Sequence, residues 1–599
     1  MNNQNRFRQL FALLCVAAPL AFTACGGGEN NGGTTTGDAG APVQGDWVII
    51  HSTADPEDMR ELVATDASQQ EIISYIYDRL MIPNWETLEP MPWLADSLPV
   101  VSADHLTYDF RLKKNAKFSD GQPVTGNDFI FTLKAIKNPE IKNAGPLAGY
   151  YERVKSAELI NGDPYHIRFT MREPYFLAAD YLGGLFAMPK HILDPKNLTD
   201  KMTFDELNAG KSSNPVVQEF ADWYQSSDKA FNKAILVGSG PYMFDSYKQY
   251  NNITLVRNPN YWNKESKYGK GYPDKIIWKT IQEHVAAIND LRSGEIDVIP
   301  TMPKVLYKQQ KPQFAGRNIS PAEYDYPSYN YIGYNQKKAL FQDKAVRQAL
   351  ARAINRDEIV NNVYFGFARA IQSPIFYKRP ECDSTIPLIK YNLEEAKKML
   401  ADAGWNDSDG DGVLDKVING QKTDFKFTIM LTTASKPTVD QIAQIFISEL
   451  KKIGIEASTQ SLDWAIFLKN TRAGDYDAYI GAWAMDITEG DNYQLFHSKS
   501  IGAGSNYVFW RNPTADSLIE AIRTEFDQAK RFEITKQFQR VFNEDQPYNL
   551  LVSSKATGGY SNRYQNVTWY AQRPCFLANT WWVPLTAQKY KAQQPVAMN

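Results

Sequence analysis

The chain has 599 residues, 65 of them basic and 68 acidic, for a net charge of −3; 43% are hydrophobic and 22% charged. That length implies more than one core, because single cores stop growing near ~250–300 residues. The near-neutral balance excludes a nucleic-acid binder, which needs a basic surface to displace counterions. Aromatic residues reach 13%, which large cores would explain and a ligand-lined interior would explain as well.

The N-terminus reads as an export signal. Arg6 and Arg8 precede an apolar run from Leu10 to Phe22. Such a run spans ~20 Å as a helix, short of a ~30 Å hydrocarbon core, so residues 1–24 are a secretory signal rather than an anchor helix. Phe22-Thr23-Ala24-Cys25-Gly26 sets small residues directly before a cysteine. This resembles the lipobox of bacterial lipoproteins, in which the Cys thiol takes a diacylglycerol and becomes the new N-terminus. Cys25 is therefore the expected lipidation site; cleavage after Ala24 with a free Cys25 is the alternative. Residues 25–44 form a flexible tether, rich in Gly, Asn and Thr and without apolar periodicity. The rest of the chain has no apolar run long enough to span a bilayer.

The body alternates strands and helices. Leu106, Tyr108, Phe110 and Leu112 alternate with Thr107, Asp109 and Arg111, a half-buried strand. A Ser119–Gln122 turn leads to a helix starting near Thr125 or Asn127, with Asp128 at its positive end. Strands follow at Tyr242-MFDSY, Ile253-TLVRN and Ile276-IWKTI, then a helix from His284 to Ser293 stopped by Gly294, and a short strand at Ile296-DVIP. Asp343 caps a helix whose Val346, Ala349, Leu350, Ala353 and Ile354 form one buried stripe. Asn392 and Glu395 form a capping box for a helix that ends at Gly404. Phe425-KFTIML is a strand, Val439–Ile453 a helix ended by Gly454, and Tyr476-DAYIGAW a further strand. This order implies α/β layers, and no solenoid-period repeat is present.

Catalytic signatures are missing from the sequence. Its six histidines share no metal-ligand spacing, and Gly238-Ser239-Gly240 lacks the frame of a nucleophile elbow. Beyond the signal only Cys382 and Cys575 remain, either a disulfide or two buried thiols. One metal pattern stands out. Asp407, Asp409 and Asp411 alternate before Gly412, with Asp415 beyond, which is the opening of an EF-type Ca2+ loop. Ile418 stands where that loop needs a bidentate Glu, so the alternatives are a structural Ca2+ and a solvated acidic turn held by Asx-type bonds. No cofactor is required.

Several blocks in order carry a resemblance. The stretch Ala95-DSLPVVSADHLTYDFRLKKNAKFSDGQPVTGNDFIFTL resembles the signature of the family-5 extracellular solute-binding proteins, the oligopeptide-, dipeptide- and nickel-binding receptors of ABC importers. Val237-GSGPYMFDSYKQYNNITLVRNPNYW, Ala287-INDLRSGEIDV, Tyr334-NQKKALFQDKAVRQALARAINRDEIV and Tyr391-NLEEAKKMLADAGW match in the family's order. Tyr476-DAYIGAWAMDITEGDNYQLFHS resembles the block that meets the ligand backbone in peptide-binding members.

The resemblance implies an α/β, two-lobed, periplasmic-binding-protein-like fold of type II, closing on its ligand about a hinge. Lobe I would be residues 45–300, with an inserted subdomain, plus 557–599; lobe II would be 301–556, with the hinge near Ile299 and Lys555. The implied protein is no enzyme. It is a monomeric lipoprotein of the cell envelope, held to the membrane by its lipid, that captures peptides and delivers them to an ABC permease. In peptide-binding relatives the Asp of the G-W-x-x-D segment pairs with the ligand's α-ammonium. Here that Asp is Asp486 and the Trp is Trp483, with Ala482 in place of the Gly; backbone groups of Trp483 and Met485 are expected to meet the peptide main chain. The alternatives are a non-peptide ligand on the same scaffold (a nickel chelate, an oligosaccharide or an opine) and a secreted hydrolase or interaction protein.

Overall fold

The computed structural model describes residues 40–63, 67–142, 144–433, 437–485 and 487–590. Cys25 and Asp486 lie outside the described residues.

Local signals set the element boundaries. The strand Thr107–Arg111 buries Tyr108 and Phe110 and turns its other residues outward. Thr125 caps the helix Gly126–Ile136, its N–H donating to Asp128 Oδ2 at 2.8 Å to complete a capping box. The helix His284–Ser293 stops at Gly294, whose φ of 81° is the left-handed value that a side chain resists. Asp343 Oδ1 accepts from Ala345 N at 2.9 Å to start the helix Lys344–Arg352, and the stripe from Val346 to Ile354 is buried. Asn392 Oδ1 accepts from Glu395 N at 3.1 Å at the head of Leu393–Asp402.

Two mixed sheets organise these elements. The larger runs, edge to edge, Ile319–Asp325, Val552–Ser561, Val298–Ile299, Trp47–Ser52, Lys275–Thr280, Asn252–Arg257 and Tyr242–Lys248, with Ala368–Ala370 added on Val552–Ser561. Trp47–Ser52 and Lys275–Thr280 are parallel, while Ile319–Asp325 and Val552–Ser561 are antiparallel. The second sheet runs Glu456–Leu462, Lys426–Thr432, Ala478–Ala484, Ser328–Tyr334 and Tyr548–Leu550. The chain passes from the first sheet to the second through Tyr326 and Pro327, and returns through Leu551.

A third, antiparallel sheet orders Val100–Val101, Thr107–Arg111, His166–Met171 and Val154–Leu159. It has its own apolar core, in which Phe110, Ile167 and Phe169 of the sheet meet Phe129, Phe131 and Leu133 of the helix Gly126–Ile136. Separate cores are what a chain of this length requires.

Candidate functional site

Two cavities, about 630 and 570 Å³, open on shared walls formed by Gln70, Arg79, Ile82 and Pro83. Both volumes fall in the ~300–1,000 Å³ range of small-molecule sites.

The first cavity lies at the end of the Trp47–Ser52 strand and is walled by Tyr75, Trp85, Trp93, Tyr261, Tyr268, Tyr324 and Tyr326. The aromatic excess therefore serves a cavity as well as the cores. Two carboxylates are set into these walls. Asp78 accepts from Trp93 Nε1 and Trp262 Nε1, each at 2.8 Å, and from the Tyr261 hydroxyl at 3.3 Å. Burial pushes its carboxyl up to about 7 despite those donors. Glu71 accepts from Trp278 Nε1 at 2.9 Å and is pushed by burial up to about 7.

The second cavity is walled by Leu177, Tyr150, Tyr151, Tyr181 and Phe186 and carries Glu61, Asp180 and Glu489. Arg79 stands between the two cavities with its guanidinium 4.0 Å from the Phe186 ring centroid. Burial lowers the Arg79 pKa, and Glu61 opposes that shift. Glu489 is held by Arg531, whose Nη2 donates to its Oε2 at 2.7 Å.

Thr488 and Glu489, two and three residues beyond Asp486 in the chain, line the second cavity. Trp483 sits on the Ala478–Ala484 strand opposite Tyr329, with its ring centroid 6.2 Å from that of Tyr507. Pairing with Lys426–Thr432 ends at Tyr479, so beyond it that side of the strand has no ladder partner among the described residues. Met485 is buried, and its N–H donates to Pro327 O at 3.0 Å.

The remaining site residues lie elsewhere. Asp407, Asp409 and Asp415 bring carboxylate oxygens within 4.8 Å of one another, whereas Asp411 is outside this group and accepts from Val413 N at 2.8 Å. Asp407 accepts from Gly410 N at 2.7 Å and Gly412 N at 3.0 Å, the Asx-type bonding of an acidic turn. The Lys422 ammonium bonds Asp409 and stands 3.5 Å from Asp415. Cys382 and Cys575 are both free thiols. Cys575 lines the first cavity, and burial pushes its thiol up to about 12.

Sequence reasoning missed Glu61, Glu71, Asp78, Arg79 and Asp180. Each stands in an unremarkable local pattern, and charged residues in such patterns are ordinarily solvated.

Comparison with known proteins agrees with this architecture. Residues 89–504 match the model of the bacterial extracellular solute-binding proteins, family 5 Middle. The oligopeptide-binding protein AppA of Bacillus subtilis is 30% identical over 592 residues, covering 97% of this chain and 100% of AppA. The periplasmic oligopeptide-binding protein OppA of Salmonella typhimurium is 24% identical over 574 residues, covering 93% and 96%. The structure of AppA in complex with a nonapeptide aligns with a TM-score of 0.69 at 29% identity, over 91% of this chain and 100% of that one. The substrate-binding protein CtaP of Listeria monocytogenes gives 0.72 at 22% identity over 90% and 100%, a likeness of fold alone. These neighbours are two-lobed periplasmic binding proteins, so the mixed α/β, two-lobed fold expected from the sequence holds. Among the described residues no helix is long and apolar enough to cross a membrane. The chain belongs to the family-5 bacterial extracellular solute-binding proteins, whose members are solute-binding proteins rather than enzymes.

Proposed function

We propose that this protein captures peptides for an ABC importer and delivers them to its membrane permease. One observation carries the reading: two cavities with shared walls, one of them lined by Thr488 and Glu489 just beyond a strand whose edge past Tyr479 has no ladder partner among the described residues, occur in a chain related over 97% of its length to an oligopeptide-binding protein. An open strand edge offers main-chain hydrogen bonds that any peptide satisfies, while neighbouring pockets sort its side chains. Asp486, three residues before Glu489, is the proposed partner of the peptide's α-ammonium.

Capture proceeds by closure of the lobes about a hinge. We take the two sheet crossings, at Tyr326–Pro327 and at Leu551, as that hinge in preference to Ile299 and Lys555, because the strand Ile319–Asp325 is hydrogen-bonded into the first sheet. Lipidation of Cys25, residues 25–44 as tether, and action as a monomer complete the proposal and place the protein at the cell envelope. A structural Ca2+ at Asp407, Asp409 and Asp415 belongs to it provided the ion displaces Lys422.

The test is mass spectrometry of the ligand released by denaturing freshly purified protein. A population of peptides supports the reading. A metal chelate, haem or an oligosaccharide as the released species replaces it with another ligand on the same scaffold.

A further inference from the structure

The second cavity holds charges that the fold leaves unanswered. Glu61 is 2% exposed, and its Oε2 has no hydrogen-bond donor among the described residues. Burial pushes this carboxyl up to about 8, against the pull of Arg79. Asp180, on the helix Ala178–Gly183, opens on the same cavity, and no described side chain or backbone N–H donates to its carboxylate. The cations near Asp180 are already engaged: Arg531 holds Glu489 and the Glu525 carbonyl, and Arg379 holds Glu381. Arg79 forms no ion pair with a described carboxylate and lies flat over Phe186. With Glu489 held by Arg531, Glu61 and Asp180 are the carboxyl groups of this cavity without an ion-pair partner among the described residues, and a cation entering it would draw Glu61 into its ionised form.

The walls define what enters. Leu177, Met81 and Phe186 line the cavity with apolar surface, and Tyr150 and Tyr181 add aromatic faces. A lysine or arginine side chain has the matching two-part character: a methylene stem that packs on apolar and aromatic surface, and a cationic head. A neutral side chain would leave Glu61 Oε2 buried and unpaired, which is costly. An acidic one would meet Arg79 but also the Asp180 carboxylate.

We propose that this cavity is a subsite for one basic side chain of the ligand, with Glu61 and Asp180 as its charge partners. The proposal rests on the peptide reading and adds to it the class of side chain that is selected.

The experiment is calorimetric titration with alanine–serine peptides of five and nine residues. In each series one position at a time carries lysine, norleucine or glutamate. The proteins are wild type, Glu61→Gln and Asp180→Asn. At one position lysine should bind at least tenfold more tightly than norleucine. In either variant that advantage should fall below threefold, and a circular-dichroism spectrum matching wild type shows that the fold is intact. Equal lysine and norleucine affinities at every position of peptides that do bind would overturn the subsite and leave the peptide reading standing. Tightest binding by a glutamate peptide would overturn it too, by giving the cavity to Arg79. Failure of every peptide to bind would remove the peptide reading and the subsite with it.

Discussion

The Tyr175 hydroxyl donates to Asp491 Oδ2 at 2.9 Å, joining residues 316 positions apart. Tyr175 belongs to the core built on the four-stranded sheet, while Asp491 follows the last stretch of the Ala478–Ala484 strand of the five-stranded sheet. Arg523 Nε stands 3.0 Å from the same Asp491 oxygen, and Phe176 N donates to Arg523 O at 3.3 Å. The contact thus spans the two halves of the molecule beside the second cavity. A hydrogen bond to a charged acceptor is worth ~1.5–3 kcal/mol, and it contributes to ligand affinity only insofar as it forms in the closed state alone. Tyr175→Phe should therefore weaken peptide binding about tenfold or more. Small-angle scattering should show a larger radius of gyration for the variant at subsaturating peptide; unchanged affinity and radius would mean that the contact persists on opening.

Four carboxyls buried near the cleft make stability depend on pH. Glu61 is held at about 8, Glu71 and Asp78 at about 7 and Asp180 at about 6, in each case chiefly by burial. The unfolded chain ionises these groups near ~4, so between that pH and each folded value it binds fewer protons than the native state. Stability of the ligand-free protein accordingly falls as pH rises from 5 to 8, by up to ~1.4 kcal/mol per unit for each group still titrating. Burial lowers the pKa of His51, which opposes this trend only on the acid side of its ordinary value. From pH 7 to 8 Glu61 carries the largest share of the remaining slope, since Glu71 and Asp78 are already half-ionised at pH 7. Urea melts of Glu61→Gln should lose stability less steeply than wild type over that interval; parallel slopes would show that Glu61 is ionised in the folded protein.

Much of the fold was legible where a short stretch carries its own boundary signals. Asn392 with Glu395, Asp343, and Gly294 each mark a helix end from within one turn, and the structure has those ends. The strands Ile319–Asp325 and Val552–Ser561 escaped notice because their pairing joins residues 230 to 242 positions apart, and Pro321 and Glu323 interrupt the apolar pattern of the first. The site divided in the same way. A motif drew attention to Trp483 and Asp486, whereas Glu61, Arg79 and Asp180 look like surface charges until tertiary packing closes over them. The acidic loop was read from its aspartates alone. Its counter-ion, Lys422, arrives from the neighbouring hairpin strand Gln421–Asp424, paired across from Asp415–Ile418.

Lys422 and a divalent cation compete for the same oxygens. The ammonium bonds Asp409 and lowers its carboxyl pKa, and it lies 3.5 Å from Asp415, whose carboxyl is lowered chiefly by hydrogen bonds from Ser408 and further by Lys422. Lys422→Met leaves Asp407, Asp409 and Asp415 facing one another without a cation. The variant should therefore bind Ca2+ at least about threefold more tightly than wild type, a modest factor because Asp407 and Asp409 are exposed. Titration calorimetry in calcium-depleted buffer measures both. Equal affinities would place Ca2+, if it binds, away from these three residues.

Cys25 is testable without any ligand. If its thiol carries a diacylglycerol, the mature protein partitions into the detergent phase, and Cys25→Ala is released or accumulates unprocessed. Two acyl chains give stable anchoring where one gives only marginal binding. Unchanged partitioning of Cys25→Ala would remove the anchor from the proposal.

Asp486 bears most directly on what the protein captures. Every free peptide carries an ammonium at one end whatever its sequence, so a receptor tolerant of many side chains draws affinity from that group and from backbone amides. A carboxylate in a closed, water-poor cleft suits it, since charge-assisted hydrogen bonds are roughly twice as strong as neutral ones. The neighbouring main chain narrows the remaining contacts: Met485 N–H is spent on Pro327, which leaves the strand edge beyond Tyr479 for the peptide backbone. Breaking one partner of a buried charge pair costs ~3–5 kcal/mol, or two to three decades or more in affinity. Asp486→Asn should accordingly weaken binding of free-amine peptides at least a hundredfold. N-acetylated peptides should bind wild type poorly and lose little more in the variant. Calorimetry with both peptide forms and both proteins separates this effect from the lysine subsite, because Glu61→Gln alters side-chain preference while leaving the amine requirement in place. Binding of the free-amine peptide by Asp486→Asn within threefold of wild type would show that the α-ammonium is held elsewhere.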